Sequence, residues 1–384
     1  MPNSRTSIEF TKKSELKRLI IHPGFHKSGT TALQESFHLN RRELIKHGVN
    51  YLEFGHKAHH RLAWSLSQKP WGWAKRGGER ESTKLWEKAA ADIEKDKADS
   101  VIISSEFFSE LSGDQIRKIH SSFKNREVKI LFTLRPLAKL LPSSYQQYLK
   151  YGITADYQEW LHSVLDKPGE SKINPTFWKR HFHGQVVAKW ADVFGSSNIT
   201  VLIVNEAQPN FLFDEINKYL NLPTNTLQSA DTGSNRSLTM EEISLLREIN
   251  SQFPKEREWD EYQVFIRNGY IRELTDHTKP APDKARLLTP EWAVSKANEI
   301  GSQIKSELIN SKVKIIGDLE TLGNSQVPTG NSEYPTAIDI KTVASAMLHF
   351  DRNVVNHFPE KWIRRSYRRR FRKFVRSKLL PKRS

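Results

Sequence analysis

The chain has no cysteine among its 384 residues. Disulfides, thiolate metal sites and a cysteine nucleophile are therefore excluded, and the composition fits an intracellular protein. No stretch approaches the roughly 18 apolar residues of a membrane-spanning helix. The polar segment 1–17 lacks the apolar stretch of a secretory signal, so a flexible N-terminus and a cytoplasmic location are expected. No internal repeat is found. The last 24 residues, Lys361 to Ser384, lack acid altogether and hold 12 Lys or Arg. Without them the chain carries 48 basic against 44 acidic side chains, so most of the net charge of +16 belongs to the tail. That distribution argues against a nucleic-acid-binding body.

Tryptophan, phenylalanine and tyrosine are plentiful, which excludes a disordered composition. Buried strands are expected at 18–22, 49–52, 100–104, 128–134 and 199–204. Helical patterns fill 30–46, 82–97, 112–124, 156–166, 177–194 and 211–220. Residues 137–151 also read as helix, with Pro142 expected to kink or split it. Thr239 and Glu242 have capping character, and Thr289-Pro290 reads as an N-cap threonine with proline at the first position. This alternation predicts an α/β fold with a central, largely parallel sheet. The expected organisation is a core over 18–250 and a helical or irregular extension over 251–322. An exposed linker over 323–336 and a C-terminal helix with basic tail over 337–384 follow.

The first strand runs into His22-Pro-Gly-Phe-His-Lys-Ser-Gly-Thr-Thr31, after which a helix begins. A strand, a glycine-containing turn and a helix N-terminus together make a cradle for phosphate. Lys27 adds a point charge, while Ser28, Thr30 and Thr31 add hydroxyls. Gly24 and Gly29 allow close backbone approach. Lys27 precedes Gly29, the reverse of the order in a Walker A loop.

Ligands of open α/β sheets bind outside the carboxyl ends of the strands. Polar groups recur there: Lys27 after the first strand, then Glu106, Arg135, and Asn205-Glu206. Arg135-Pro136 is followed eight residues on by Ser143, and a guanidinium with a helix hydroxyl suits a phosphate. His56, His59 and His60 share a helical face, open to a metal, a proton-handling role or a plain surface helix. No H-E-x-x-H or carboxylate pattern supports the metal. Residues 69–80, with Trp71 and Trp73, read as a mobile loop or as core anchors.

The K-S-G-T-T element, with Arg135 and Ser143 downstream, resembles sulfotransferases that use 3′-phosphoadenosine 5′-phosphosulfate (PAPS). Arg135 to Tyr148, Phe177 to His183 and Asn235-Arg-Ser-Leu238 look like a bacterial sulfotransferase-domain protein, over residues 18 to about 250. The resemblance implies a P-loop-like sulfotransferase fold with helical C-terminal additions. It implies a 5′-phosphosulfate held by Lys27, Ser28, Gly29, Thr30 and Thr31, with Lys27 assisting the leaving phosphate. Arg135, Ser143 and, from a later basic loop, Arg236 would hold the 3′-phosphate. Glu106 is the first candidate base, with His59 and His60 as alternatives. Many relatives place an adenine-packing Trp where Ala32 stands, so adenine must be packed from elsewhere or more weakly.

The implied reaction moves a sulfuryl group from PAPS to a hydroxyl or amine of an unidentified acceptor, a glycan or lipid-linked molecule among the options. No metal is required. A P-loop kinase using ATP–Mg²⁺ is the alternative enzyme, and a membrane-surface protein dominated by its tail is the non-enzymatic one. On a helix, Ile363, Tyr367, Phe371, Phe374 and Val375 line one side of the tail, which suits the surface of an anionic membrane. A solvated or oligomer-contact tail is the other reading, and nucleic acid the least favoured.

Overall fold

The computed structural model describes residues 16–54, 57–68, 81–229, 236–254 and 257–348. Six strands form one sheet: β1 (Lys17–His22), β2 (Val49–Tyr51), β3 (Ser100–Ser104), β4 (Arg126–Leu134), β5 (Ile199–Ile203) and β6 (Lys314–Ile316). Their order is β2-β3-β1-β4-β5-β6, and every pairing is parallel. The α/β expectation therefore holds, with β6 an edge strand that the sequence did not announce. Only three residues long and partly exposed, β6 carries too little apolar signal to stand out.

The sheet is buried on both faces, as parallel sheets are. Leu19, Ile21, Val101, Ile103, Ile130 and Phe132 point into one core. Their alternates Ile20, Ile102, Leu131 and Leu202 point into the other. Each such side chain contributes about 1.5–3 kcal/mol by leaving water.

Helices α1 (Thr30–Leu39), α2 (Arg41–Lys46), α3 (His60–Ser67), α4 (Lys84–Lys95) and α5 (Gly113–Ser121) lie in the first part of the chain. Next come α6 (Leu137–Leu149), α7 (Tyr157–Leu165), α8 (Phe177–His181), α9 (His183–Phe194) and α10 (Phe211–Tyr219). The last are α11 (Met240–Gln252), α12 (Trp259–Tyr262), α13 (Glu291–Asn310) and α14 (Ile340–Leu348). Among the described residues no helix is long and apolar enough to cross a membrane.

Several expectations are corrected. The helix expected over 30–46 breaks at Asn40, whose amide and side chain both donate to the Ser36 carbonyl. The helix over 177–194 breaks at Phe182. Pro142 is accommodated inside a continuous α6. Thr289 does not cap α13: its hydroxyl pairs with that of Tyr157 at 2.8 Å, and Pro290 precedes the first turn. The capping box at Thr239 and Glu242 is present.

Residues 323–336 are no free linker. Tyr334 accepts from the Tyr157 amide at 2.9 Å, and the Arg247 guanidinium lies 4.4 Å over its ring. Ser332 accepts from the Leu288 amide at 2.7 Å. The polar sequence of this segment concealed a strap that packs on the core. Between α12 and α13, residues Gln263–Ile271 and Glu273–His277 form a π-helix, a rare form that concentrates at functional sites.

Candidate active site

Strand β1 lies between β3 and β4, and the chain passes to either side of it. This is the switch point at which open α/β sheets bind ligands. The β1 loop and Arg135, which follows β4, therefore emerge side by side.

The loop turns on three left-handed residues: Gly24 at φ 47°, Lys27 at φ 66° and Gly29 at φ 86°. A Cβ on Gly24 would sit 2.7 Å from the Thr30 hydroxyl, so the turn tolerates no side chain there. Lys27 has a Cβ and holds the conformation at a cost of about 1 kcal/mol, a strain typical of functional loops. The Ser28 hydroxyl donates to the Phe25 carbonyl at 2.6 Å, and the Thr30 hydroxyl donates to it at 3.1 Å. Both residues are buried, so they brace the loop from within. Thr31 is exposed on the first turn of α1, where the leading N–H groups have no intrahelical acceptor.

Below the loop lies a polar network that sequence reading missed. His22 is buried and joins three strands, with Nδ1 2.7 Å from the Ser104 hydroxyl and Nε2 3.1 Å from the Thr133 hydroxyl. Thr133 continues to Ser28 at 2.9 Å, and Gln34 donates to Ser104 at 3.1 Å. Burial lowers His22 to about 4 despite Glu106, so the ring is neutral and serves as a strut.

Lys27 Nζ donates to Gln147 Oε1 at 3.0 Å, tethering the loop to α6. The residue is exposed, yet protein crowds its ammonium. Burial lowers its pKa, Glu106 opposes that, and Arg135 adds to it through like charge. Arg135 forms a close ion pair with Glu206, which Lys139 also approaches at 3.5 Å. Arg135 Nε is buried without an acceptor. Beside it opens a cleft of about 360 Å³, whose apolar side is Leu287, Val327 and Pro328. Ser143 directs its hydroxyl to the Leu140 carbonyl at 3.0 Å and lies one helical turn from Gln147.

Glu106 begins the short 3₁₀ turn after β3, as its position past the strand end predicts. Gln34 donates to its Oε2 at 3.4 Å, and His60 Nδ1 is 3.7 Å away. Burial pushes its pKa up, but His60, His26 and these hydrogen bonds outweigh it, so the pKa is lowered and the carboxylate is ionised. His60 also meets the Ser105 hydroxyl at 2.9 Å and packs with Trp64 and Phe107 in an aromatic wall.

His59 is withdrawn from this role. Its Nδ1 accepts from the Ser104 amide at 2.9 Å and its Nε2 donates to the Leu52 carbonyl at 2.8 Å. With both nitrogens committed and burial lowering its pKa to about 4, it has no free nitrogen with which to take a proton. Arg236 is likewise a clamp. All its donor groups point inward, to both oxygens of Glu242 and to the carbonyls of Thr278, Ser237 and Leu274. His26 contacts Glu110 at 3.3 Å, and Arg180 holds the same carboxylate at 2.9 Å. His181 and His183 are buried and 3.3 Å apart, in the core rather than on a polar face.

Two further cations were not singled out from sequence: Lys150, just beyond α6, and Arg267 in the π-helix. The signal was spacing, since Ser143, Gln147 and Lys150 recur on one half-buried stripe at i, i+4 and i+7. Among the described residues no group of three His, Cys, Asp or Glu could hold a metal ion. His56, Trp71, Trp73, Asn235 and the tail 361–384 lie outside the described residues.

No protein-family model matches the chain, and no curated protein does. Among solved structures, a sulfotransferase from Alicyclobacillus acidocaldarius is similar over 61% of this chain and 92% of its own. The identity is 15% and the TM-score 0.38. No weight rests on so distant a likeness.

Proposed function

We propose that the chain is a PAPS-dependent sulfotransferase. The observation that carries this reading is the pairing of Lys27 and Arg135 at adjacent strand ends, close enough for their charges to repel. Two separate cations there suit a nucleotide with phosphate at both its 5′ and 3′ positions. The donor set fits: a helix N-terminus without acceptors, an ammonium, and a guanidinium whose Nε is unsatisfied.

Bound PAPS supplies an activated sulfuryl group, whose departure leaves adenosine 3′,5′-bisphosphate. Lys27 and the first-turn N–H groups of α1 neutralise charge as it gathers on the 5′-phosphate side. Arg135, paired here with Glu206, would hold the 3′-phosphate, with Ser143 on the following helix. The apolar Leu287, Val327 and Pro328 surface beside Arg135 would offer the adenine a packing face in place of the aromatic absent at Ala32. Glu106 accepts the proton of the acceptor hydroxyl or amine, and His60 steadies the carboxylate.

A kinase reading is less favoured, because the Thr30 hydroxyl that would serve Mg²⁺ is bound to the Phe25 carbonyl. The acceptor offers a hydroxyl or amine, with glycan and lipid-linked molecules among the options. The basic segment 361–384 would bring the enzyme to an anionic membrane surface on the cytoplasmic side. Radiolabelled PAPS supplied with a cell extract, against labelled ATP–Mg²⁺, tests the assignment. Transfer of ³⁵S with no transfer of ³²P is expected; the opposite result would make the protein a kinase.

A further inference from the structure

The side chains of Lys150 and Arg267 sit at one end of the site with no hydrogen-bond or ion-pair partner among the described residues. The Arg267 guanidinium lies 4.1 Å over the ring of Tyr151, the residue next to Lys150. Tyr151 in turn stacks on Trp259 at 5.9 Å with rings 15° from parallel. Arg267 is thus held by an aromatic face while its fork stays available. The nearby carboxylate, Asp276, is engaged by Arg272 at 3.1 Å and by the Thr275 hydroxyl at 2.9 Å.

Burial, then Lys27, Arg267 and Arg236, lower the Lys150 ammonium to about 8, with Asp276 the opposing charge. Like charges that outnumber the one opposing carboxylate cost stability, and an anion between them would reverse that cost. Arg236 contributes field alone, because its donors are spent on its clamp.

Helix α6 gives the order of these groups. Arg135 precedes it, Ser143 and Gln147 follow one turn apart, and Lys150 stands about 10 Å beyond Ser143 at 1.5 Å per residue. Gln147 holds Lys27, so along α6 Lys150 lies on the far side of that anchor from Arg135. With the 3′-phosphate at Arg135, that far side belongs to the acceptor.

We infer that Lys150 and Arg267 form an oxyanion site for a charged group of the acceptor, a phosphate, sulfate or carboxylate. The acceptor assignment rests on the donor reading above; the anion site itself does not. Its test uses inorganic sulfate on the full chain saturated with adenosine 3′,5′-bisphosphate, followed by calorimetry and thermal melting.

Sulfate is expected to bind the saturated protein and raise its melting temperature. Lys150→Gln and Arg267→Gln should each weaken sulfate at least tenfold while moving the bisphosphate Kd less than twofold. In the absence of anion, Lys150→Gln should melt no lower than the parent, because it relieves repulsion. Sulfate that is expelled by the bisphosphate, with variants that weaken the bisphosphate, would place these cations in the donor site and overturn the inference. Absence of any sulfate binding that depends on Lys150 would overturn it equally. Sulfate binding that depends on Lys150 in a protein that ignores the bisphosphate would sustain the anion site and refute the donor reading.

Discussion

Lys27 and Gln147, 120 residues apart in sequence, are joined by a 3.0 Å hydrogen bond from ammonium to amide oxygen. The bond fixes a flexible cation on a strained loop to the helix that also carries Ser143. Lys27→Ala should cut kcat by a factor of about 100–1,000, the range for losing one transition-state electrostatic group. Gln147→Ala should cost about tenfold, and almost nothing further once Lys27 is already alanine. A steady-state double-mutant cycle checks this, since additive losses would show that the two residues act separately.

Glu206 pairs with Arg135, and on the proposed reading the 3′-phosphate must displace it. Glu206→Gln should therefore tighten adenosine 3′,5′-bisphosphate several-fold, with little change for adenosine 5′-phosphate. Titration calorimetry at fixed salt reads the effect. Weaker bisphosphate binding in this variant would mean that Glu206 orients Arg135 for the ligand rather than opposing it.

Glu106→Gln keeps the hydrogen-bonding shape of the carboxylate and removes its basicity. Donor-product affinity should stay within about twofold, while kcat falls by about 100-fold or more. Full turnover in this variant would transfer the proton-accepting role to His60, the neighbouring group 3.7 Å away.

Three buried histidines make the fold acid-sensitive. Burial lowers His22 and His59 to about 4 and His183 to about 3, against 6.5 for an unhindered ring. The unfolded chain thus binds more protons than the native one below pH 6.5, so stability is complete above that pH and falls as pH drops. Each ring costs about 1.4 kcal/mol at pH 5.5, or about 4 kcal/mol for the three. Burial lowers His26 and His181 as well, so urea unfolding at pH 7.5 and pH 5.5 should show at least that loss; equal midpoints would mean that these rings are protonated in place.

The parallel sheet was legible because β1, β3, β4 and β5 are continuous apolar runs ending in turn residues. The positions of Lys27, Glu106 and Arg135 at strand ends were legible for the same reason. Hydroxyl direction was not: Ser28 and Thr30 resemble phosphate donors in sequence, yet the left-handed turns aim them at Phe25. His59 and His60 are adjacent and identical, and only tertiary packing separates a buried strut from a neighbour of Glu106. Arg236 could not be told from a ligand arginine until Glu242 was seen to take its fork. Lys150 and Arg267 are far apart in the chain, and their proximity depends on Tyr151 and a π-helix that no local pattern announces.

The proposed donor site has two phosphate positions, one at Lys27 and one at Arg135. Calorimetry of adenosine 3′,5′-bisphosphate and adenosine 5′-phosphate, on the parent chain and on Arg135→Ala, tests it most directly. The parent is predicted to favour the bisphosphate by a factor of about 100 or more, as a charge-assisted guanidinium–phosphate pair of roughly 3 kcal/mol would give. Arg135→Ala should bring that ratio close to one by weakening the bisphosphate alone. Equal affinities in the parent, or equal losses for both ligands in the variant, would contradict it.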